Sequence, residues 1–399
     1  MALSYFLLIL LVVSATGYIV GRRKAFASVS GEQRQLHSLL GFYGWNVALA
    51  SFLAGIVILA LWSLVLMMTG ISARWIGGVV ALIAAAAAFY MAYKGIDPAY
   101  RARNNVETMV KGVLIFCSSV AILTTLGIVL SMLFETGHFF AQYSWSQFFF
   151  GTNWTPRFQG DSDLGMLPLL WGTLYISFVA LAVSVPIGLF AAIFLSEYAT
   201  PGVRAVAKPL IEVLAGIPTI VYGLFALVTV GPLLRDYFAS PLGLGDSVRS
   251  VMTAGLVMGI MLIPFVSSLS DDIINAVPQS LRDGSYGLGA TRSETIKQVI
   301  VPAALPGVVG AILLAASRAI GETMIVVMGA GAAAKLSLNP FEAMTTITVK
   351  IVSQLTGDTD FAAPETLVAF ALGITLFVLT LCLNILALYI VRKYREQYE

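Results

Sequence analysis

Two cysteines and two histidines are all the redox and soft-metal chemistry that 399 residues carry. Cys117 and Cys382 both fall inside apolar runs, and His37 and His138 stand far apart, so neither a disulfide framework nor a metal-ligand spacing can be assembled. Charge is scarce as well. Only 11% of the residues are Asp, Glu, Lys or Arg, the net charge is +2, and no Lys/Arg run is long enough to follow a phosphate backbone, which excludes nucleic acid as a partner. No G-x-x-x-x-G-K-[ST] segment occurs, so the chain has no phosphate-cradling loop with which to hydrolyse ATP. The first apolar run, Ser4 to Val20, lacks the positive leader of a signal peptide and is followed at once by Arg22, Arg23 and Lys24; it is expected to stay as an anchor.

What the chain does have is apolar length. With 58% hydrophobic residues and a mean hydropathy of +0.89, it carries more apolar surface than a soluble domain could bury, and the bilayer is its solvent. Nine runs reach the roughly 20 apolar residues that a spanning helix needs. They lie near 4–20, 44–69, 75–93, 112–134, 168–196, 210–235, 250–270, 305–330 and 365–391. The fold class is therefore all-α, a polytopic transmembrane helical bundle. Sixteen of the 23 Lys and Arg residues fall in alternate connecting segments, against six in the others, namely Arg74, Arg157, Arg235, Arg249, Lys335 and Lys350. The positive-inside rule then puts the N-terminus outside and the C-terminus inside.

The polar stretch 94–111, with Asp97-Pro98 and Arg103-Asn104-Asn105, separates an accessory region of three spans, residues 1–93, from a core of six spans, residues 112–399. Within the accessory region no ionisable group falls inside a membrane run, and Ala84 to Ala88 point to helix packing. Two loops stand out in the core by length: 135–167 outside, rich in Phe, Tyr and Trp, and 271–304 inside.

The inside loop reads as helix, glycine corner, helix between Pro278 and Pro302. Ser280 with Asp283 and Thr291 with Glu294 have capping-box spacing, and Gly287 and Gly289 break the chain between them. In the second helix Ile296, Val299 and Ile300 form a stripe that needs a partner. On pattern alone a hairpin lying on the membrane surface is an equal reading. The run Arg282-Asp283-Gly284-Ser285-Tyr286-Gly287-Leu288-Gly289-Ala290-Thr291, continuing to Val301-Pro302, resembles the coupling-helix signature of type I ABC importer permeases, with Asp283 for the usual Glu and Gly284-Ser285 for two Ala. That resemblance implies that Arg282, Asp283, Gly287, Gly289, Ala290 and Thr291 dock on a separate ATPase subunit, which uses the ATP and Mg that this chain does not bind; the chain itself is then a transport subunit and not an enzyme.

Arg318 stands 13 residues after Leu305, roughly 20 Å along a helix and deep in the hydrocarbon layer. Glu322, four residues on, is expected on the same face, one turn away, where the two could neutralise each other. A self-satisfied structural pair is one reading; a substrate path is the other, because ionisable groups inside a membrane usually line one. A guanidinium fork suits a tetrahedral oxyanion, while a carboxylate beside it only accepts and so favours an anion that keeps a proton, as phosphate does and sulfate does not. The octapeptide Ser317-Arg318-Ala319-Ile320-Gly321-Glu322-Thr323-Met324 resembles the signature of phosphate-specific ABC permeases, most closely the branch called PstC. So do Phe149 to Pro156, Leu195-Ser196-Glu197-Tyr198-Ala199, and Leu214 to Gly223.

The resemblance implies an importer of inorganic phosphate in a bacterial inner membrane, N-terminus periplasmic, built from this chain, a sister permease, two ATPase subunits and a periplasmic phosphate-binding protein. Arg318, Glu322, Ser317, Gly321 and Thr323 would line the path. Gly216, Pro218 and Gly223 mark a helix break that borders such a path or, equally, a packing kink. Two rivals remain, an ion-coupled secondary transporter and the same importer class carrying molybdate or sulfate, whereas an aspartyl protease of the membrane is rejected. Gly243-Leu244-Gly245-Asp246 spells G-x-G-D, but it falls in an external loop and no span supplies a second aspartate.

Overall fold

The structure, a computed structural model, describes residues 2–29, 33–69, 74–157, 162–357 and 363–395. The tip of the outer loop at 158–161 and the tail at 396–399 lie outside the described residues. In chain order the helices are α1 Ala2–Ser28, α2 Leu40–Thr69, α3 Arg74–Lys94, α4 Ala102–Gln142 and α5 Trp145–Phe150. A two-residue hairpin follows, with β1 Trp154–Thr155 antiparallel to β2 Asp163–Leu164. Next come α6 Leu167–Ile193, α7 Pro201–Ala215, α8 Thr219–Phe225, α9 Gly231–Leu234 and α10 Val251–Ala276. The last are α11 Gln279–Gly287, α12 Arg292–Thr295, α13 Val301–Ile320, α14 Met324–Gly329, α15 Ile347–Gly357 and α16 Pro364–Arg395. Single π-helical turns extend α6 to Tyr198, join α8 to α9, carry α9 on to Ala239, and fuse α12 with α13.

Nine helical stretches among the described residues are long and apolar enough to cross a membrane. Seven fall where the hydropathy pattern puts them; two are displaced. The run expected at 210–235 is replaced by a span over Thr219–Ala239, because α7 is amphipathic and stops at Ala215. The run expected at 305–330 is replaced by one over Arg292–Ile320, because the inside loop's second helix runs straight into α13.

By contacts the chain forms two compact units, residues 1–126 and 127–399, with the boundary inside α4. In the first, α1, α2 and α3 pack together, and the polar stretch after α3 folds back on α2. The Tyr43 hydroxyl donates to the carbonyls of Pro98 and Tyr100, and Ile96 and Ala102 are buried beside Val47. In the second unit α6 and α10 form the centre. Gly255 and Gly259 of α10 lie against Val179, Ala180 and Val183, too close for any side chain, so the two backbones approach closely. The aromatic outer loop has a structural role: Phe139, Phe148, Trp154 and Leu164 are buried together with Leu367, Val368 and Leu372 at the start of α16. The G-x-G-D segment is an exposed turn in which the Ser240 hydroxyl donates to Asp246.

Candidate functional site

Two helices of the second unit are interrupted, and the interruptions meet. Pro218 has no N–H to offer and cannot continue α7, so Gly216, Ile217 and Pro218 form a break before α8 starts at Thr219. The second interruption falls between Ile320 and Met324. α8 and α14 then pack against each other, with Gly223 so close to the Met324 carbonyl that a Cβ would lie 2.9 Å from it.

A cavity of about 320 Å³ opens at the first break. Glu212, Ile217 and Thr219 line it on one side, Pro264, Phe265 and Ser268 of α10 on another, and Arg318 of α13 on a third. Arg318 lies with its guanidinium carbon 5.9 Å from the centre of the Phe265 ring and has no ion-pair partner among the described residues. The expected Arg318–Glu322 pair is not formed. α13 ends at Ile320 with Gly321 as its cap, so the four-residue spacing no longer corresponds to one helical turn. The Glu322 carboxylate instead accepts the Met324 N–H at 3.1 Å, and its carbonyl accepts the Thr348 hydroxyl at 2.9 Å. Ser317, Gly321 and Thr323 build the break: the Gly321 N–H donates to the Ser317 carbonyl, and the Thr323 carbonyl opens α14 by accepting from Val327. Of the five residues expected on the path, Arg318 is the one that lines this cavity.

The acidic group at the cavity is Glu212. It is set there by the polar stripe of α7, on which Arg204, Lys208 and Glu212 recur every fourth residue. Arg204 grips the buried Asp271 of α10 through two hydrogen bonds of 3.0 and 2.9 Å, and Lys208 adds a third at 2.8 Å. That carboxylate holds the Lys208 ammonium above the usual lysine range. With two turns of the stripe fixed to Asp271, the next turn delivers Glu212 to the cavity.

A second constellation ties down the corner at 278–302. The capping box at Thr291 and Glu294 is formed, and Gly289, at φ +86°, makes the left-handed corner before it. Gly287 is the last residue of α11 and not part of the bend, and Ser280 does not cap: Pro278 holds that position, with no side-chain bond. Arg282 is buried and points inward, onto Glu197 at 2.9 Å and the carbonyls of Val277 and Ile274. Arg292 donates to the Glu197 carbonyl. The stripe of Ile296 and Ile300 packs on Ala192, Ile274 and Val277 of the chain itself, so it needs no outside partner. What the corner exposes is Leu281, Tyr286 and Leu288, the last 91% accessible, beside Asp283.

Sequence reasoning missed Glu212, the Asp271 hub and this apolar face. The signal for Glu212 was present in the four-residue spacing of Arg204, Lys208 and Glu212 opposite Val203, Val206, Leu210 and Val213, which marks 201–215 as an amphipathic helix outside the spanning set. Asp271 carried none, because nothing local shows that an aspartate at a span's end will find two cations from another helix.

A bundle of apolar spans that breaks two helices around a lone guanidinium, and pins a capped corner with a buried ion pair, is built as the membrane-embedded part of a transport system. The chain belongs to the family described as binding-protein-dependent transport system inner membrane component, which matches residues 184–396. A second family, described as phosphate ATP-binding cassette transporter, matches residues 7–73. Among curated relatives, a probable ABC transporter permease protein, YqgH, of Bacillus subtilis is 33% identical over 61% of this chain and 77% of its own length. The phosphate transport system permease protein PstC of Pasteurella multocida is 32% identical over 68% of this chain and 87% of its own. That of Haemophilus influenzae is 32% identical over 62% and 82%. Among solved structures, a bacterial alginate ABC transporter aligns with a TM-score of 0.50 at 16% identity over 72% of this chain and 97% of that one, a likeness of fold alone.

Proposed function

We propose that this chain is the permease subunit of an ATP-driven importer that moves inorganic phosphate from periplasm to cytoplasm, with a sister permease, two ATPase subunits and a periplasmic phosphate-binding protein as partners. The observation that carries the reading is the Arg318 cavity: one guanidinium free of ion pairs among the described residues, two hydroxyls and one carboxylate around a space of about 320 Å³. The relatives named as phosphate permeases support the choice of ion.

Arg318 holds the anion through its fork of donors, and the hydroxyls of Thr219 and Ser268 turn to donate or accept as needed. Glu212 accepts a hydrogen bond from an oxygen that still carries its proton, so a fully deprotonated sulfate meets an unanswered negative charge there. This is the acceptor role that the sequence assigns to Glu322, whose carboxylate is engaged at the start of α14. At the other end, Leu281, Tyr286 and Leu288 present the apolar surface that a groove on an ATPase subunit would cover, and Arg282 holds that surface in place from behind. The corner favours this reading over an ion-coupled secondary transporter, which needs no such surface.

The test is ATP-driven uptake of labelled phosphate in proteoliposomes holding the chain with its partners. Arg318→Gln is expected to abolish uptake while ATP hydrolysis continues. Glu212→Gln is expected to keep uptake but admit sulfate as a competitor, with Glu322→Gln as the comparison. Full uptake by Arg318→Gln would remove this cavity from the path, and sulfate exclusion lost in Glu322→Gln alone would return the acceptor role to Glu322.

A further inference from the structure

The first unit holds a basic cavity that the transport reading leaves unused. α1 and α2 cross closely: a Cβ on Gly21 would lie 2.8 Å from the Tyr43 carbonyl, and one on Gly44 would lie 2.6 Å from the Tyr18 carbonyl. Beside this crossing a cavity of about 390 Å³ opens, lined by Tyr18, Ile19, Arg22, Arg23 and Phe26 of α1 and by Leu40 at the start of α2. Three cations follow one another here, and only the third is engaged. Lys24 donates to the carbonyls of Tyr93 and Lys94 and lies 4.2 Å above the Tyr93 ring. Arg22 and Arg23 are exposed and make no hydrogen bond or ion pair among the described residues, although both line the cavity.

We propose that this cavity binds one anionic phospholipid, its headgroup phosphate held by Arg22 and Arg23 and its acyl chain laid along Ile19, Phe26 and Leu40. Charge and shape argue together. Two free guanidinium groups in the last turns of a spanning helix sit at headgroup depth, where basic pockets between helices attract anionic lipid. The remaining walls are aromatic and aliphatic, which suits a hydrocarbon tail and gives a free phosphate ion nothing to bind. Tyr18, stacked at a tilt on Trp45 with ring centres 5.2 Å apart, fixes the inner wall.

The experiment is native mass spectrometry of the full chain released from micelles doped with phosphatidylglycerol or with phosphatidylcholine of the same acyl chains. One phosphatidylglycerol is expected to stay bound, with a preference of about tenfold or more over phosphatidylcholine. The double variant Arg22→Gln/Arg23→Gln is expected to lose that preference, and Ile19→Trp, which fills the cavity at constant charge, to lose retention of the lipid. Arg101→Gln, an exposed cation of the same unit outside the cavity, is expected to change nothing. Equal retention of both lipids by the unaltered chain would overturn the site. So would loss of the preference in Arg101→Gln, which would mean diffuse charge, or displacement of phosphatidylglycerol by millimolar inorganic phosphate, which would mean a free-anion site.

Discussion

Arg282 is largely closed off from solvent. Its side chain is 10% exposed and its partner Glu197 7%, and its donors are shared between that carboxylate and two carbonyls at the end of α10. A guanidinium can serve three acceptors from one plane, which an ammonium cannot. Removing one member of such a buried pair strands the other, at a cost of about 3 kcal/mol. Arg282→Gln is therefore expected to lower the thermal unfolding midpoint, and Arg282→Lys to recover little of it. The consequence for transport differs from that of Arg318→Gln. With α11 loosened, the reconstituted complex should show less uptake for each ATP hydrolysed, and restoring Arg282 should restore the ratio. An unchanged midpoint would mean that the corner is held elsewhere. Glu197 belongs to a stretch that resembles the phosphate-specific permeases, yet its purpose was invisible there, because its partner lies far along the chain.

At the scale of elements, the two breaks were unequally legible. Pro218 between flanking glycines announces the first, since a missing N–H cannot be hidden inside a helix. The second has only Gly321, and the four-residue spacing of Arg318 and Glu322 imitates an unbroken helix. What ends α13 is tertiary: Thr348 takes the Glu322 carbonyl, and α14 is drawn against α8, contacts that no local pattern encodes. Seven of the nine spans were legible for a simpler reason, since length and hydropathy suffice to define them, and the capping box at Thr291 was legible because both its members lie within one turn. The crossing of α8 and α14 makes its own prediction. Gly223 faces the Met324 carbonyl and the Met328 side chain, so Gly223→Leu must push the two short helices apart. It is expected to reduce phosphate uptake and lower the unfolding midpoint, whereas Gly284→Ala on α11, where nothing lies within 4 Å, should leave the midpoint alone. Equal effects of the two substitutions would remove the close crossing as the cause.

The whole molecule must be threaded through the bilayer in one sense, and α4 constrains the choice. Its 41 residues extend over roughly 60 Å, about twice the hydrocarbon thickness, so one or both ends stand clear of the membrane. Arg101, Arg103 and Lys111 gather at its start, while its far end leads into the buried aromatic cluster around Phe139 and Phe148. The excess of Lys and Arg in alternate connections leads us to expect the corner at Gly289 on the cytoplasmic side and the aromatic loop of α5 on the periplasmic side. In a chain whose Cys117 and Cys382 are replaced by Ala, Ser146→Cys in α5 is expected to react with a membrane-impermeant maleimide added to intact spheroplasts. Ser293→Cys in α12 should react only after permeabilisation. The reverse pattern would invert the molecule: Leu281, Tyr286 and Leu288 would then face the periplasm, where no ATP is hydrolysed, and their exposed apolar surface would have to meet a partner of another kind.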